Sequence, residues 1–389
     1  MPDVRHPLDG YRKILERFEA EHRLRRIPAV SEECLIDLLS NDYLGLGRRG
    51  TEFTARLAER YPDVSFSSSA SRLLCRYGRM HAELEDKLEM YYGRPALIFN
   101  SGYHANVGIV SALAIPGTLF LCDKAIHASV IDGLSMSGAD YRRFRHNDMD
   151  ALCNAVTRWK NSYERIIIVT ESIYSMDGDC APLHRLVEIK RSCPDVLLYL
   201  DEAHAVGVRG NRGLGLAEEE GLIQEFDIIV GTFGKALASV GAFAIVPDEI
   251  RRYLVNTARP FIFSTAIPPV NCAWSSLMFD VAVSMEEERR HLMELSHRLR
   301  TGIAEIIGTL PVSTSQIVPL VTGDACSATI LSESLREKGF DTLPIRRPTV
   351  PLGGERIRFS LNASLSLDQV DTLLQAIEDS WEKIIFRQS

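Results

Sequence analysis

Short apolar runs and longer amphipathic stretches alternate through the middle of this chain. Ala96–Phe99, Thr118–Leu121, Arg165–Val169, Val196–Leu200, Asp227–Val230 and Ala242–Val246 are apolar or β-branched and strand-like in length. Stretches with helical spacing separate most of them, near 103–114, 127–137, 148–161 and 183–192. This rhythm predicts an α/β fold with right-handed crossovers and a mostly parallel sheet covered by helices on both faces. Upstream, the pattern predicts an amphipathic helix from Tyr11 to about Arg26, a short strand at Leu35–Leu39 and a helix over His81–Tyr92, where Leu84, Leu88 and Tyr91 share one face. After Pro268-Pro269 the rhythm changes. A long charged helix is expected over 270–307, then a strand near Ile317–Val321, a helix near Ala328–Lys338, a strand pair at Leu343–Arg347 and Arg356–Leu361, and a last helix from Asp368 to about Ile385. The expected organisation is an N-terminal helix-and-strand segment (1–45), a large domain (46–270) and a smaller C-terminal α+β domain (271–389).

Sheets of this kind bind ligands outside the carboxyl ends of their strands, and ionisable groups fall at those ends. The run Val196–Leu200 closes on Asp201-Glu202-Ala203-His204, and Asp227–Val230 leads into Gly231-Thr232-Phe233-Gly234-Lys235-Ala236. An amine can form a Schiff base with a carbonyl cofactor, and a buried carboxylate can hold a pyridine nitrogen protonated. Lys235 and Asp201 together therefore suggest pyridoxal phosphate. Taken singly, Lys235 also reads as a surface lysine, Asp201 as a turn cap and His204 as a satisfied core histidine. Asn100-Ser101-Gly102-Tyr103-His104 opens a helix after a strand, and helix starts suit phosphate. Ser175 and Thr232 could bind cofactor oxygens, and His127 could stack on a planar ring.

Bulk properties narrow the field. The chain has 389 residues, 46% hydrophobic and 25% charged, with a net charge of −8. No basic stripe suggests nucleic acid, and no apolar stretch has membrane-spanning length. The eight cysteines are scattered without a C-x-x-C pair, which fits reduced thiols and predicts no metal site. With no signal-like N-terminal segment, a cytoplasmic protein is expected.

Seven ordered segments carry a more specific signal. They are Asn41-Asp42-Tyr43-Leu44-Gly45, His127-Ala128-Ser129, Ser175-Met176-Asp177-Gly178-Asp179, Asp201-Glu202-Ala203-His204, Thr232-Phe233-Gly234-Lys235, Phe263-Ser264-Thr265-Ala266-Ile267-Pro268-Pro269 and Arg347-Pro348-Thr349-Val350-Pro351. On these the chain resembles the α-oxoamine synthases, a branch of the fold-type-I pyridoxal-phosphate enzymes, from about Tyr11 to Ile385. The resemblance implies a fold-type-I transferase in which Lys235 binds the cofactor covalently, Asp201 pairs with the pyridine nitrogen, His204 contacts the ring oxygen and His127 stacks on the ring and assists catalysis. It gives Gly102, Tyr103, Ser175 and Thr232 cofactor contacts, and has Ser264 or Thr265 reach the phosphate of a neighbouring subunit in a homodimer. Asn41 and Arg358 match positions that bind the amino-acid carboxylate, and Arg25 and Thr349 match positions near the acyl substrate.

Ile345–Pro351 and Arg356-Ile357-Arg358 are most similar to the family branch that condenses L-alanine with pimeloyl-CoA in biotin biosynthesis. That reaction is the expected one. A sibling synthase using glycine or another acyl thioester, an aminotransferase and a non-catalytic partner subunit are the alternatives. Two departures stand out: Arg76 occupies a position where the family usually has glycine, and Lys235–Ala242 is poor in glycine.

Overall fold

The computed structural model describes residues 6–21, 24, 25, 27, 34–75 and 78–388. Arg76, and Arg26 at the expected end of the first helix, lie outside the described residues. Twelve strands occur among them: β1 (Ile36–Asp37), β2 (Ala96–Phe99), β3 (Thr118–Asp123), β4 (Asp140–Phe144), β5 (Arg165–Glu171), β6 (Val196–Asp201), β7 (Ile228–Thr232), β8 (Ala242–Ile245), β9 (Ile317–Val321), β10 (Phe340–Asp341), β11 (Pro344–Ile345) and β12 (Arg356–Ser360). The central sheet has the order β2-β8-β7-β6-β5-β3-β4. Its four pairings from β4 across to β7 are parallel, and β8 runs antiparallel to both neighbours.

Strand residues of both parities are apolar because both faces of this sheet are covered. In β5, Ile166 and Ile168 face one core while Ile167 and Val169 face the other; Leu119 and Leu121 of β3 divide from Phe120 and Cys122 in the same way. Helix Gly102–Leu113 packs on helix Ala128–Ser137, and both contribute to the second core. The parallel register sets the carboxyl ends side by side: Glu171 of β5 pairs with Asp201 of β6, and Asp201 with Val230 of β7. Phe99 of β2 and Thr232 of β7 both pair with Ala242, so the start of helix Gly102–Leu113 reaches the same edge.

A second sheet, β11-β12-β9, is antiparallel, and β1 pairs with β10 in a separate two-stranded sheet. The turn after β5 ties the large sheet to β12. Arg356 donates to Asp177 and to the Met176 carbonyl, and Arg358 donates to the Ser175 carbonyl.

Several expectations need correction. The helix expected over 270–307 is two helices, Pro269–Ser284 and Glu286–Ile307, separated at Met285. No glycine or internal proline marks the break. Instead Arg289 turns its guanidinium back onto the carbonyls of Ala282 and Val283, and Glu286, Glu287 and Glu288 start the new helix where its dipole favours negative charge. The N-terminal helix spans Asp9–Ala20, shorter than expected. Strand β4 is new; its sequence, Asp-Tyr-Arg-Arg-Phe, is that of an exposed edge strand rather than an apolar run. The scarcity of glycine after Lys235 leaves Ala238 at φ +43°, a left-handed conformation that costs an alanine about 1–2 kcal/mol.

Candidate active site

Carboxyl ends of parallel strands collect ionisable groups because the chain turns there with its main-chain polar groups unspent. Lys235 lies three residues past β7. Thr232 shapes the turn by accepting from the Gly234 main-chain N–H (3.1 Å) and donating to the Gly241 carbonyl (2.9 Å). The Lys235 Nζ lies 2.8 Å from His204 Nε2. Burial lowers its pKa to about 8, against the opposing pull of Asp201. Roughly a tenth of the amines is therefore deprotonated at about pH 7, far more than for an ordinary lysine, as attack on a carbonyl requires.

His204 is buried, and burial together with the charges of Lys235 and Arg358 holds its pKa well below the usual histidine value. Its Nδ1 lies 2.6 Å from the hydroxyl of Tyr43, which is fully buried and donates to Asn41 Oδ1 at 3.0 Å. Arg358 Nη2 donates to the same Asn41 oxygen at 3.1 Å and lies 3.5 Å from the Tyr43 hydroxyl. A continuous polar chain thus runs from the amine of Lys235 to the guanidinium of Arg358. Removing the hydroxyl with Tyr43→Phe leaves His204 Nδ1 and Asn41 short of a partner in a buried place. A loss of about 1–3 kcal/mol is expected, read as a lower urea midpoint.

Asp201 is buried, and its hydrogen-bond partners are neutral: Asn106 Nδ2 at 2.7 Å and the Ala203 main-chain N–H at 2.9 Å. Asn106 is held by the Tyr199 hydroxyl (2.6 Å) and also donates to Ser129 Oγ (3.0 Å), which lies 2.8 Å from His127 Nδ1. His127 caps helix Ala128–Ser137 and is partly exposed; desolvation of its buried part pulls its pKa down, with Asp201 opposing.

The other expected site residues fall into three places. Gly102 begins its helix behind the Ser101 cap, and a side chain there would point towards Thr232. Tyr103 is 47% exposed and donates to Asp132 at 2.6 Å. Thr265 bridges to Ser71, and its carbonyl accepts from Asn100 Nδ2 at 2.7 Å; Ser264 lines a narrow cleft with Arg72 and His81. Arg25 and Thr349 meet each other at 3.2 Å, beside a surface cavity of about 370 Å³ lined by Leu15, Phe18, Leu24 and Pro348. Hydrogen bonds tie Lys235, His204, Tyr43, Asn41, Arg358 and the Ser175 carbonyl into one chain and Asp201 to the Asn106–Ser129–His127 group, whereas among the described residues Arg25, Thr349, Ser264 and Thr265 are linked to neither.

Asn106, Tyr43, Tyr199 and Glu171 belong to the site and carried no assigned role in the sequence reading. Asn106 could have been noticed as a polar residue inside an apolar helix. Glu171 ends an apolar strand just as Asp201 does.

These residues fit pyridoxal phosphate. A buried carboxylate whose hydrogen-bond partners are all neutral suits a pyridinium N–H, and a lysine amine with a lowered pKa suits covalent capture. Fold and site therefore define a fold-type-I pyridoxal-phosphate transferase. Residues 33–377 match the family aminotransferase class I and II. The chain is 45% identical to 8-amino-7-oxononanoate synthase from Haemophilus ducreyi, over 92% of this chain and 95% of that protein. It resembles the structure of Sphingomonas wittichii serine palmitoyltransferase with a TM-score of 0.89 and 28% identity, covering 98% of this chain and 99% of that one. The 8-amino-7-oxononanoate synthase structure from Francisella tularensis gives 0.73 and 25%, covering 90% and 98%. Other serine palmitoyltransferase structures of this similarity hold pyridoxal phosphate. The chain belongs to the aminotransferase class I and II family and, within it, to the α-oxoamine synthases. It is a pyridoxal-phosphate-dependent acyltransferase.

Proposed function

We propose that this acyltransferase joins L-alanine to pimeloyl-CoA, giving 8-amino-7-oxononanoate, CoA and carbon dioxide, as a cytoplasmic step of biotin biosynthesis. The observation that carries the reading is the polar chain from Lys235 through His204 and Tyr43 to Arg358, supported by 45% identity to the Haemophilus ducreyi synthase. When bound, the cofactor supplies a ring that accepts electron density from the substrate α-carbon. Arg358 and Asn41 hold the alanine carboxylate. Lys235 Nζ takes the α-proton as general base. The Asp201 carboxylate would pair with the pyridine nitrogen of the bound cofactor. A carbon–carbon bond forms between the alanine α-carbon and the thioester carbonyl as the carbon–sulfur bond breaks. His127 polarises that carbonyl or assists proton transfer. The carboxylate then departs as carbon dioxide, and a proton returns to the α-carbon. His204 would contact the ring oxygen, while Gly102, Tyr103, Ser175 and Thr232 would hold the cofactor. Arg25 and Thr349 flank the acyl chain.

The proposed assembly is a homodimer in which Ser264 or Thr265 reaches the partner's cofactor phosphate; the 70% exposed Phe263 beside them is a side chain a partner would cover. Division at residues 45 and 270 is likewise proposed. Among the described residues, no helix is long and apolar enough to cross a membrane.

A panel of alanine, glycine and serine against pimeloyl-CoA, acetyl-CoA and palmitoyl-CoA tests the reading through release of free thiol. Alanine with pimeloyl-CoA should exceed every other pair by at least about tenfold in kcat/KM, a modest margin for pocket discrimination. Preference for serine with palmitoyl-CoA, or for glycine with acetyl-CoA, would overturn the substrate assignment and leave the acyltransferase class intact.

A further inference from the structure

Glu171 is a buried ionisable group in this site that the mechanism leaves unused. It ends β5 and sits directly opposite Asp201 in the parallel register. Both side chains are buried, at 3% and 6% exposure. Their surroundings differ. Asp201 accepts hydrogen bonds on both oxygens, from Asn106 and from the Ala203 main chain. The Oε1 of Glu171 is shielded from solvent and has no hydrogen-bond partner among the described residues. No lysine, arginine or histidine nitrogen of the described residues lies within 4.0 Å of its carboxylate. The titratable groups that face it are Asp201 on β6, Lys235 after β7, Asp123 on β3, the buried Tyr174 in the turn after β5, and His127, whose main-chain N–H is directed at the carboxyl.

A buried carboxylate needs a cation or several donors, and two adjacent carboxylates without a shared cation do not both ionise. Of this pair, Asp201 has a donor on each oxygen, whereas Glu171 has the His127 main-chain N–H alone and its Oε1 has none among the described residues. Burial and the neighbouring Asp201 charge accordingly push the Glu171 carboxyl well above the ordinary glutamate range.

We propose that Glu171 remains the un-ionised acid of this strand-end pair and acts as a positioning residue. It leaves the single negative charge on Asp201 and anchors the main chain at His127. An ionised Glu171 would compete with Asp201 for the pyridinium proton. It would also raise the pKa of Lys235 and so reduce the fraction of reactive amine. The inference concerns the resting protein and does not depend on which amino acid or thioester is the substrate.

The test is the titration of Lys235 in cofactor-free protein, followed by pH-dependent reductive methylation and peptide mapping, in wild type and Glu171→Gln. Glutamine is neutral and nearly isosteric. If Glu171 is already neutral, the midpoint for residue 235 should move by less than about half a pH unit. If it is ionised, removing a nearby negative charge should lower the midpoint by about one unit or more. A fall larger than half a unit therefore overturns the proposal. A Gln variant that fails to fold does not end the test, because infrared spectra of 13C-glutamate-labelled wild type report directly on protonated carboxyls. Burial brings Glu202 only to about 7, so at about pH 8.5 its contribution should be largely gone. Burial also raises the Glu85 carboxyl, so a protonated-glutamate band that persists at that pH, and persists in both Glu202→Gln and Glu85→Gln, supports the proposal. Its absence refutes it.

Discussion

Turnover should fall by about 10⁴-fold in Lys235→Ala, the upper range expected for loss of a positioned general base. The same substitution removes the group that binds the cofactor covalently, so borohydride should no longer fix cofactor to the protein. In wild type it should tag the peptide containing residue 235. The fold should persist, because among the described residues the Lys235 amine hydrogen-bonds only to His204, and the residue belongs to neither apolar core. Circular dichroism checks that point. Part of the rate should return with a small added amine, which replaces the base but not its positioning. A variant that turns over near the wild-type rate without added amine would remove the chemical basis for the proposed reaction.

Asp201→Asn is expected to have the next largest effect, about 10²- to 10⁴-fold on kcat. Asparagine keeps the shape of the side chain and removes the charge that holds the pyridine nitrogen protonated. The amide also meets Asn106 Nδ2 at the position where a carboxylate oxygen accepted a hydrogen bond at 2.7 Å. Either outcome for that contact is unfavourable: donor faces donor, or the amide flips and loses the Ala203 N–H. The sensitive measurement is exchange of the alanine α-proton with deuterated solvent in the absence of any thioester. This isolates carbon acidity from acyl transfer. An unchanged exchange rate would rule out the role given to Asp201.

The central sheet was legible because both of its faces are buried, so its strands read as unbroken apolar runs bounded by helical stretches. All six expected strands of this sheet formed. What escaped notice was held by something other than hydrophobic pattern. The edge strand β4 has charged positions and one covering face. The reversed direction of β8 follows from the turn after Lys235, which periodicity does not encode. The break at Met285 depends on one arginine reaching backwards across a gap in the helix.

The site divides in a similar way. Lys235, Asp201 and His204 stood out because ionisable groups at strand ends are conspicuous, and their proximity in space follows from the parallel register. Asn106 and Tyr43 serve the same chemistry as neutral polar side chains, and nothing in their local sequence signals what they will meet. The pairing of Asn41 with Arg358 joins residues 317 positions apart, and no local pattern predicts such a contact. Family resemblance identified both residues, and the fold explains why they face each other.

The amine of Lys235 hangs from the seven-stranded sheet, whereas the guanidinium of Arg358 is fixed to β12 of the three-stranded one. An amino acid held at both ends would therefore brace two separately built layers, like a strut across a joint. Its occupancy should stiffen the whole molecule rather than one pocket. Slowed amide exchange at β9 and β12, far along the chain from the lysine, would be the mark of that bracing.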